Sequence, residues 1–521
     1  MSNYLKNIII IAVILIGILF YYISFDGYYF YDDTTYLKYA FQISKGTFQL
    51  TNDNFCNRFG LILPIAILYK LLSINDFSST LYPLLCWLGS VFLCIKVLKN
   101  NIIASVLAVI FCGLDYYHIF FINKVYPDMP VAFFIMLSLY ILQKQLFNEN
   151  EKSYLNAFLF SLNFFIGFIS KTTAIYILPF YAIIFFVNLK NKQNIRFWKS
   201  TLICSISLFF AYLVIYYLKT GNAIYIFSNI ENSHYESALS YSNKGFWVMF
   251  NRLTIGPILL FINSGMIIPL VCGLVYMCKS KMNQINEITF WCLASISILL
   301  MFWFSSMSFT FYQPMSLNAR MIILLAPPLA IWAGLSLQKL IEDKTAIFTL
   351  TIIFIIISIL CFKFVQPSKS VIYILISFSF VNLIFSKNAT FLIVGILISL
   401  CIQPIYSMSK PKIYAYKEEK ELFDQYLLQF KNQNITIVSD DRMVHGGTYF
   451  LKFATPSNWE FIRFKDLKIN TQKQNVYIIV NEEYCCYLNE KIKIDSTNIK
   501  LIINKNNKVK LYKLINQKSL H

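Results

Sequence analysis

Two adjacent carboxylates, Asp32 and Asp33, follow the first apolar run of the sequence, within the stretch FYDDTTYLKYA. A third carboxylate, Asp128, lies in KVYPDMPVAFF, where a later apolar run begins. A carboxylate can accept the proton of an acceptor hydroxyl group while a new bond forms to the oxygen. Asp32 and Asp128 stand out as candidates for such chemistry, because each lies next to aromatic residues and the start of a helix.

Basic residues in three other segments complement them: Arg58 in FCNRFGLILP, Lys171 in FISKTTAIY and Arg320 in SLNARMIILLAPPLA. Arginine binds phosphate through paired donors, and lysine acts as a point charge. Carboxylates together with cations fit a substrate that has a phosphate leaving group and an acceptor with a hydroxyl group. The alternatives are that the acids are solvated loop residues and that the cations contact lipid head groups.

The composition indicates what must position these residues. Of the 521 residues, 57% are hydrophobic and 14% are charged, whereas soluble proteins have about 25% charged residues. The apolar runs reach the roughly 20 residues that cross a bilayer. We predict a polytopic α-helical membrane protein with about 13 spans, near 7–24, 78–97, 101–121, 128–146, 154–170, 173–189, 200–218, 253–277, 288–305, 321–338, 345–362, 370–386 and 389–405.

The distribution of positive charge predicts the orientation. The net charge is +19, and the surplus lies largely in short loops, as the positive-inside rule requires. We therefore expect membrane lipids, and no nucleic acid, among the partners. The clusters KVLKN, KNKQNIRFWK and KSK fall on one side by alternation. That side should be cytoplasmic, together with the N-terminus, in a multi-pass protein of the inner cell membrane.

Two domains are expected. Residues 1–407 form the transmembrane domain, whose first outer loop, 25–77, carries two interfacial helices, 32–46 and 58–74. Residues 408–521 form a small extracytoplasmic α/β domain. In that domain the pattern predicts a helix over 417–431 and strands over 435–441 and 475–481.

The first outer loop resembles that of the membrane-embedded glycosyltransferases of the GT-C fold. The similarity is greatest to the family 39 and 83 group, which includes protein mannosyltransferases and the lipid A aminoarabinose transferase. In that group an acidic pair, usually Asp-Glu, is followed by a tyrosine three residues later and then by an Arg-x-Gly element. Here these places are taken by Asp32, Asp33, Tyr36 and Arg58 with Gly60.

Three further segments resemble elements of the group, in the same order. YPDMPVAFFIMLSLYIL resembles its Pro-Asp element, GFISKTTAIYILP its Gly-x-x-x-Lys helix, and NARMIILLAPPLAI its Arg-Tyr-x-x-x-x-x-Pro element. The resemblance covers roughly residues 1–340. Asp33 replaces the usual glutamate, Tyr31 the usual proline, and Met321 the usual aromatic residue.

The resemblance implies transfer of a sugar from a polyprenyl-phosphate donor to an extracytoplasmic glycan, lipid or protein, usually with inversion. Asp32 would be the general base, Asp33 its partner, and Asp128 a second acidic site residue. Substrate contacts would come from Tyr36 and, at the donor phosphate, from Arg58, Lys171 and Arg320. No cofactor is required by the pattern, and a divalent metal ion bound by Asp32 and Asp128 is an open alternative.

Two other functions remain open at this point. A flippase or transporter for lipid-linked sugars predicts ionisable residues in the middle of spans, whereas these residues gather at predicted outer ends. An O-antigen polymerase or ligase would share the donor and the compartment, but we would expect its main outer loop late in the chain. The sequence does not identify the sugar, the lipid carrier or the acceptor.

Overall fold

The computed structural model describes residues 1–147, 152–235, 241–280, 284–410, 412, 415–466, 475–484 and 499–515. The chain divides into two compact units. The first comprises Met1–Ile23, Gln49–Leu61 and Tyr82–Met408, and the second Ser24–Phe48, Ile62–Leu81 and Ser409–His521.

The described residues form 21 α-helices. The first eleven are α1 Asn3–Ile23, α2 Asp32–Lys45, α3 Phe59–Leu72, α4 Asp76–Val97, α5 Ile102–Gly113, α6 Tyr116–Phe120, α7 Asp128–Phe147, α8 Ser153–Ser170, α9 Leu178–Lys190, α10 Ile195–Thr220 and α11 Tyr225–Tyr235. The others are α12 Phe246–Leu253, α13 Ile255–Ser264, α14 Ile267–Lys279, α15 Glu287–Phe304, α16 Ala326–Leu340, α17 Lys344–Phe364, α18 Pro367–Ser386, α19 Ala389–Ser409, α20 Tyr416–Gln425 and α21 Asp441–Gly446.

Most of these helices can cross a membrane. Eleven of the described helices are long and apolar enough, and the number rises to 13 if each of two bent helix pairs counts as one span. A helix satisfies its own backbone hydrogen bonds, as a segment in hydrocarbon must. The predicted polytopic helical membrane protein is therefore confirmed. Within the first unit, α5 packs on α16 and α17 packs on α18. Both α7 and α10 pack on α8.

Two predicted spans are broken in the structure. The span predicted over 253–277 is divided among α12, α13 and α14, with a bend of 51° between α12 and α13. The helix α13 ends at Gly265, whose φ of 83° is readily adopted only by a residue without a side chain. The span predicted over 101–121 bends by 55° between α5 and α6.

Polar side chains satisfy the backbone at both breaks, beside a pocket that Asp115, Asn263 and Lys369 line. An oxygen of Asp115 accepts the amide hydrogen of His118 at 2.9 Å and caps α6. The ammonium group of Lys369 donates to the backbone and side-chain oxygens of Asn263 at 2.8 and 2.7 Å, near the C-terminus of α13. These buried charges therefore have a structural explanation.

The C-terminal part of the second unit contains a five-stranded sheet of β1 Ile435–Ser439, β2 Trp459–Arg463, β3 Asn475–Asn481, β4 Ile499–Lys505 and β5 Val509–Leu514. The strand order is β2-β1-β3-β5-β4. Strand β1 is parallel to both of its neighbours, β2 and β3, and β5 is antiparallel to both β3 and β4. The predicted helix and strands correspond to α20, β1 and β3, so the α/β character is confirmed.

Segments of the first loop belong to this second unit. The helix predicted over 32–46 is α2, and most of the helix predicted over 58–74 is α3. The domain boundary at 407 stays a prediction, because the second unit draws on these early segments as well as on the tail.

Asp76, at the start of α4, joins the early segments of the second unit to its tail. Its Oδ1 accepts the hydroxyl hydrogens of Tyr416 and Tyr449 at 2.6 and 3.0 Å, and its Oδ2 binds the Lys420 ammonium group at 2.7 Å. Hydrogen bonds to a charged group stabilise more than neutral ones. One carboxylate thus ties α4 to α20 and to the segment after α21.

We expect Asp76→Asn to lower the free energy of unfolding by about 2 kcal/mol, because three donors lose a charged acceptor. The measurement is thermal unfolding of the detergent-solubilised protein. Glu482→Gln is the matched control, since Glu482 pairs with Lys510 at 2.9 Å on the exposed surface of the same unit and such pairs contribute about 0–1 kcal/mol. Equal effects of the two substitutions would contradict the assignment.

Candidate active site

Four of the predicted site residues lie in the first unit, each at a helix end. Asp128 begins α7, and Lys171 follows the last residue of α8. Arg320 lies in the 3-10 helix Ala319–Leu325, and Arg58 follows the 3-10 helix Asn54–Asn57. Side chains at helix ends can reach the groups that the helices leave unpaired, which favours ion binding there.

Asp128 and Lys171 form a buried ion pair. The Lys171 Nζ lies 2.5 Å from Asp128 Oδ1, with only 10% and 5% of the two side chains exposed. The same ammonium group donates to the Met321 sulfur at 3.0 Å. Among the described residues no group donates to Asp128 Oδ2, which is also buried. Each charge depends on the other, since a lone buried charge is strongly destabilising.

Two guanidinium groups add positive charge to this pair. Lys171 lies between the spans Ser153–Ser170 and Thr172–Lys190. Burial lowers the pKa of Lys171 from its ordinary value, and the nearby Arg320 and Arg58 lower it as well. The Asp128 carboxylate raises this pKa and so opposes the shift. The ammonium group and the two guanidinium groups bring positive charge together at this point, which suits a phosphate group.

Aromatic and glycine residues position the two arginines. The Arg320 guanidinium lies over the Tyr126 ring, 4.8 Å from its centroid. Near Arg58, a Cβ atom on Gly60 would lie 2.0 Å from Ser170 Oγ. Only glycine therefore allows the start of α3 to approach the last turn of α8. The close approach holds the chain just after Arg58 against the residue just before Lys171.

Several residues of this cluster were missed by sequence reasoning. Tyr126, two positions before Asp128, supports Arg320. Met321 was noted in the sequence only as a replacement for an aromatic residue, and its sulfur is an acceptor for Lys171. The hydroxyl of Tyr216 donates to Asn57 at 2.8 Å, which attaches α10 to the residue before Arg58. The proximity of Tyr126 to a candidate acid was the one signal available beforehand.

The other three predicted site residues lie in the second unit, on α2. Asp33 is fully buried, and its carboxylate accepts backbone amide hydrogens from Tyr29 at 2.6 Å, Tyr31 at 3.1 Å and Thr34 at 2.8 Å. Asp33 therefore shapes the turn into α2. Asp32 is half-buried beside it, and Tyr36 is buried one turn further along. The catalytic roles of all three stay predictions.

A divalent metal ion was left open by the sequence. The part of the chain that the structure describes contains no group of three His, Cys, Asp or Glu side chains able to hold such an ion. The carboxylate expected to take part, Asp128, binds an ammonium group. The metal ion stays a prediction, and no step below depends on it.

The membrane spans together with the C-terminal sheet agree with the expected GT-C fold. The chain is similar over its whole length, and over 100% of the other chain, to the crystal structure of ArnT from Cupriavidus metallidurans bound to undecaprenyl phosphate, with a TM-score of 0.61 and 10% identity. The apo structure of ArnT from the same organism gives a TM-score of 0.56 and 11% identity over 96% and 97% of the two chains. The expected fold is confirmed.

Sequence comparison adds no relative to this structural likeness. No family model matches the chain, and no curated protein matches it.

A double-mutant cycle tests the ion pair. We expect Lys171→Met and Asp128→Asn each to lower the free energy of unfolding by about 3 kcal/mol, because each leaves the partner charge buried. The double substitution should recover part of this loss. Thermal unfolding in one detergent measures all four proteins.

The matched control is Lys279→Met. Lys279 pairs with Asp343 at 2.6 Å where 33% and 40% of the side chains are exposed, so its loss should cost at most about 1 kcal/mol. Additive effects of the two buried substitutions would contradict the coupling.

The segment that leads to Arg320 has a pH-dependent anchor. Glu231 accepts hydrogen bonds from the hydroxyls of Ser308 and Thr310 at 2.6 and 2.5 Å and from the Phe309 amide at 3.1 Å. These bonds, above all that from Ser308, lower the pKa of Glu231 from 4.5 to about 2. Since the folded pKa lies below the unfolded one, the stabilisation is present above pH 4.5 and is lost as the pH falls toward 2.

We therefore expect Glu231→Gln to speed amide exchange in a peptide covering residues 306–314 at pH 6. The difference from the wild type should shrink at pH 3, where part of the advantage of the carboxylate has gone. Hydrogen exchange with mass spectrometry, normalised to the unfolded peptide at each pH, measures it. A difference that is the same at both values would contradict the assignment.

Proposed function

We propose that this protein transfers a sugar from a polyprenyl-phosphate donor to an extracytoplasmic glycan, lipid or protein. The observation that carries the proposal is the buried Asp128–Lys171 pair with the positive charge of Arg320 and Arg58 beside it. Such a site suits a phosphate leaving group. The likeness of the whole chain to ArnT in complex with undecaprenyl phosphate supports this ligand class.

The proposed reaction breaks the bond between the anomeric carbon and the phosphate oxygen. The phosphate keeps the electron pair and leaves as polyprenyl phosphate, while the acceptor oxygen bonds to the carbon. Attack on the face opposite the leaving group inverts the anomeric carbon. The cationic side chains stabilise the charge that develops on the phosphate, since fixed charges need no reorganisation during the step.

Asp32 takes the proton that the acceptor hydroxyl loses. The Asp33 carboxylate holds the turn before α2 by accepting three backbone amide hydrogens. Of the two adjacent aspartates, Asp32 is therefore the one that we propose as the base. Asp128 keeps Lys171 charged and in place, and Tyr36 contributes a substrate contact. In this proposal the protein lies in the inner membrane, with its N-terminus in the cytoplasm and its C-terminal part outside.

A transfer assay tests the base. Membranes containing the wild type or Asp32→Asn are supplied with a panel of polyprenyl-phosphate sugars, and transfer is normalised to the amount of folded protein. We expect Asp32→Asn to lower transfer by about 100-fold or more, the usual contribution of a general base. Asp26→Asn is the matched control, since Asp26 lies in the same loop and has no proposed part in the reaction.

The outcomes separate the competing functions. Full transfer by Asp32→Asn would overturn the assignment of the base. Lipid translocation by the wild type without transfer from any donor would favour a flippase. Products that grow by repeated units would favour a polymerase.

A further inference from the structure

The structure assigns a positioning role to the C-terminal part of the second unit. We call residues 28–33 the acidic loop. We propose that Asp441, Arg442 and Gly446 hold the acidic loop in the conformation that aims Asp32, so that the tail sets the catalytic geometry of the base. This inference rests on the proposed function of Asp32.

The acidic loop needs support because its backbone is unusual. Phe30 has a φ of 60°, a left-handed conformation that a bulky residue rarely adopts unless its surroundings impose it. Within the loop, the Asp33 carboxylate accepts the amide hydrogens of Tyr29 and Tyr31. These bonds close the turn within the loop itself.

The tail supplies a socket for the Phe30 side chain, which is fully buried. The Arg442 guanidinium lies 4.9 Å from the centroid of the ring, and the Phe450 ring lies 5.3 Å away. A Cβ atom on Gly446 would lie 2.1 Å from Phe30 Cδ1. Only glycine at position 446 leaves room for this ring.

The socket is anchored to the sheet through Arg442. This arginine is fully buried and forms an ion pair with Glu419 of α20. Glu419 also accepts a hydrogen bond at 2.7 Å from Asn481, the last residue of β3. The guanidinium also lies 4.9 Å from the centroid of the Tyr484 ring. Movement of Phe30 therefore requires rearrangement of a buried charge network, which is costly.

Tyr31, the residue immediately before Asp32, is held by a second contact. Its hydroxyl donates to Asp441 Oδ2 at 3.3 Å, and Asp441 Oδ1 binds Arg463 Nε at 2.6 Å. The Tyr31 and His445 rings lie 5.7 Å apart. The two residues that lead into α2 are thus both attached to the tail, which fixes the start of the helix that carries Asp32.

A base that is displaced by about 1 Å can lose on the order of 100-fold in rate. We therefore expect Gly446→Ala, which forces Phe30 to move, to lower kcat by at least about 10-fold. The KM for the donor should stay within about two-fold, because the positioning residues act on the base and not on donor binding. Amide exchange in a peptide covering residues 28–35 should become faster.

Gly447→Ala is the matched control. The nearest atoms to a Cβ atom there belong to Met443, whose sulfur would lie 2.6 Å away, and to Phe461 at 3.4 Å. It should leave kcat and the amide exchange of the acidic loop close to those of the wild type.

If Gly446→Ala does not fold, Tyr31→Phe tests the proposal instead. It should lower kcat several-fold, because it removes the hydroxyl that contacts Asp441. Tyr426→Phe removes a hydroxyl at the C-terminal end of α20 and should leave kcat unchanged.

These outcomes are distinguishable from failure of the proposed function. A wild type that transfers no sugar, or an Asp32→Asn variant with full transfer, would refute the function of Asp32 and with it this inference. If the wild type is active and Asp32→Asn is not, normal kcat per folded molecule in Gly446→Ala or Tyr31→Phe would overturn the positioning role alone. A purely structural role would lower the yield and Tm but leave kcat per folded molecule unchanged.

Discussion

Charges can remain inside an apolar protein only if charged or polar partners satisfy them, and this constraint governs the first unit. Asp128 and Lys171 meet at 2.5 Å in surroundings that leave little of either side chain exposed. Either charge alone would be strongly destabilising there. Because the two side chains come from different helices, their pairing ties the start of α7 to the end of α8. The neighbouring arginines then add the positive charge that makes the cluster suitable for an anion.

The position of this cluster follows from how membrane helices end. Inside a span the backbone satisfies itself, so polar side chains have little to do there. At a helix end, unpaired backbone groups and irregular turns allow charged side chains to gather. The breaks at Asp115 and near Gly265 obey the same rule, with Lys369 and Asp115 satisfying the backbone. The charges described at these three places in the first unit therefore lie where helices begin or end.

The sequence predicted much of the fold because apolar runs of span length have few alternative structures. The helix that carries Asp32 was also predictable, because Gly46 signals its end, and the structure has this glycine in the left-handed conformation. The strands β1 and β3 were predictable from strand-like runs bounded by asparagine and aspartate. The broken span over 253–277 was not, since apolar content does not reveal a bend. The hairpin of β4 and β5 was missed although Asn506 and Asn507, with φ of 53° and 57°, carry a usable turn signal.

The site was predictable in composition but not in roles. Asp128, Lys171 and Arg320 were selected as charges near helix ends, and the structure brings the first two into contact. Three backbone amides donate to the Asp33 carboxylate in a turn where Phe30 is left-handed. No local sequence pattern predicts that conformation of a phenylalanine. The tail contacts of the acidic loop are invisible to sequence reasoning for a different reason. They join residues as distant as Tyr28 and Tyr449, 421 positions apart.

That separation has a consequence for the life of the molecule. Chains are synthesised at about 5–20 residues per second, so the socket for Phe30 is made on the order of 20–80 s after the acidic loop itself. During that interval every described membrane helix after α1 is made, while the loop lacks the residues that shape it. Until the tail is made, the membrane part therefore lacks the contacts that position the acidic loop. Completion of the tail is the event that turns an inserted polypeptide into a finished protein.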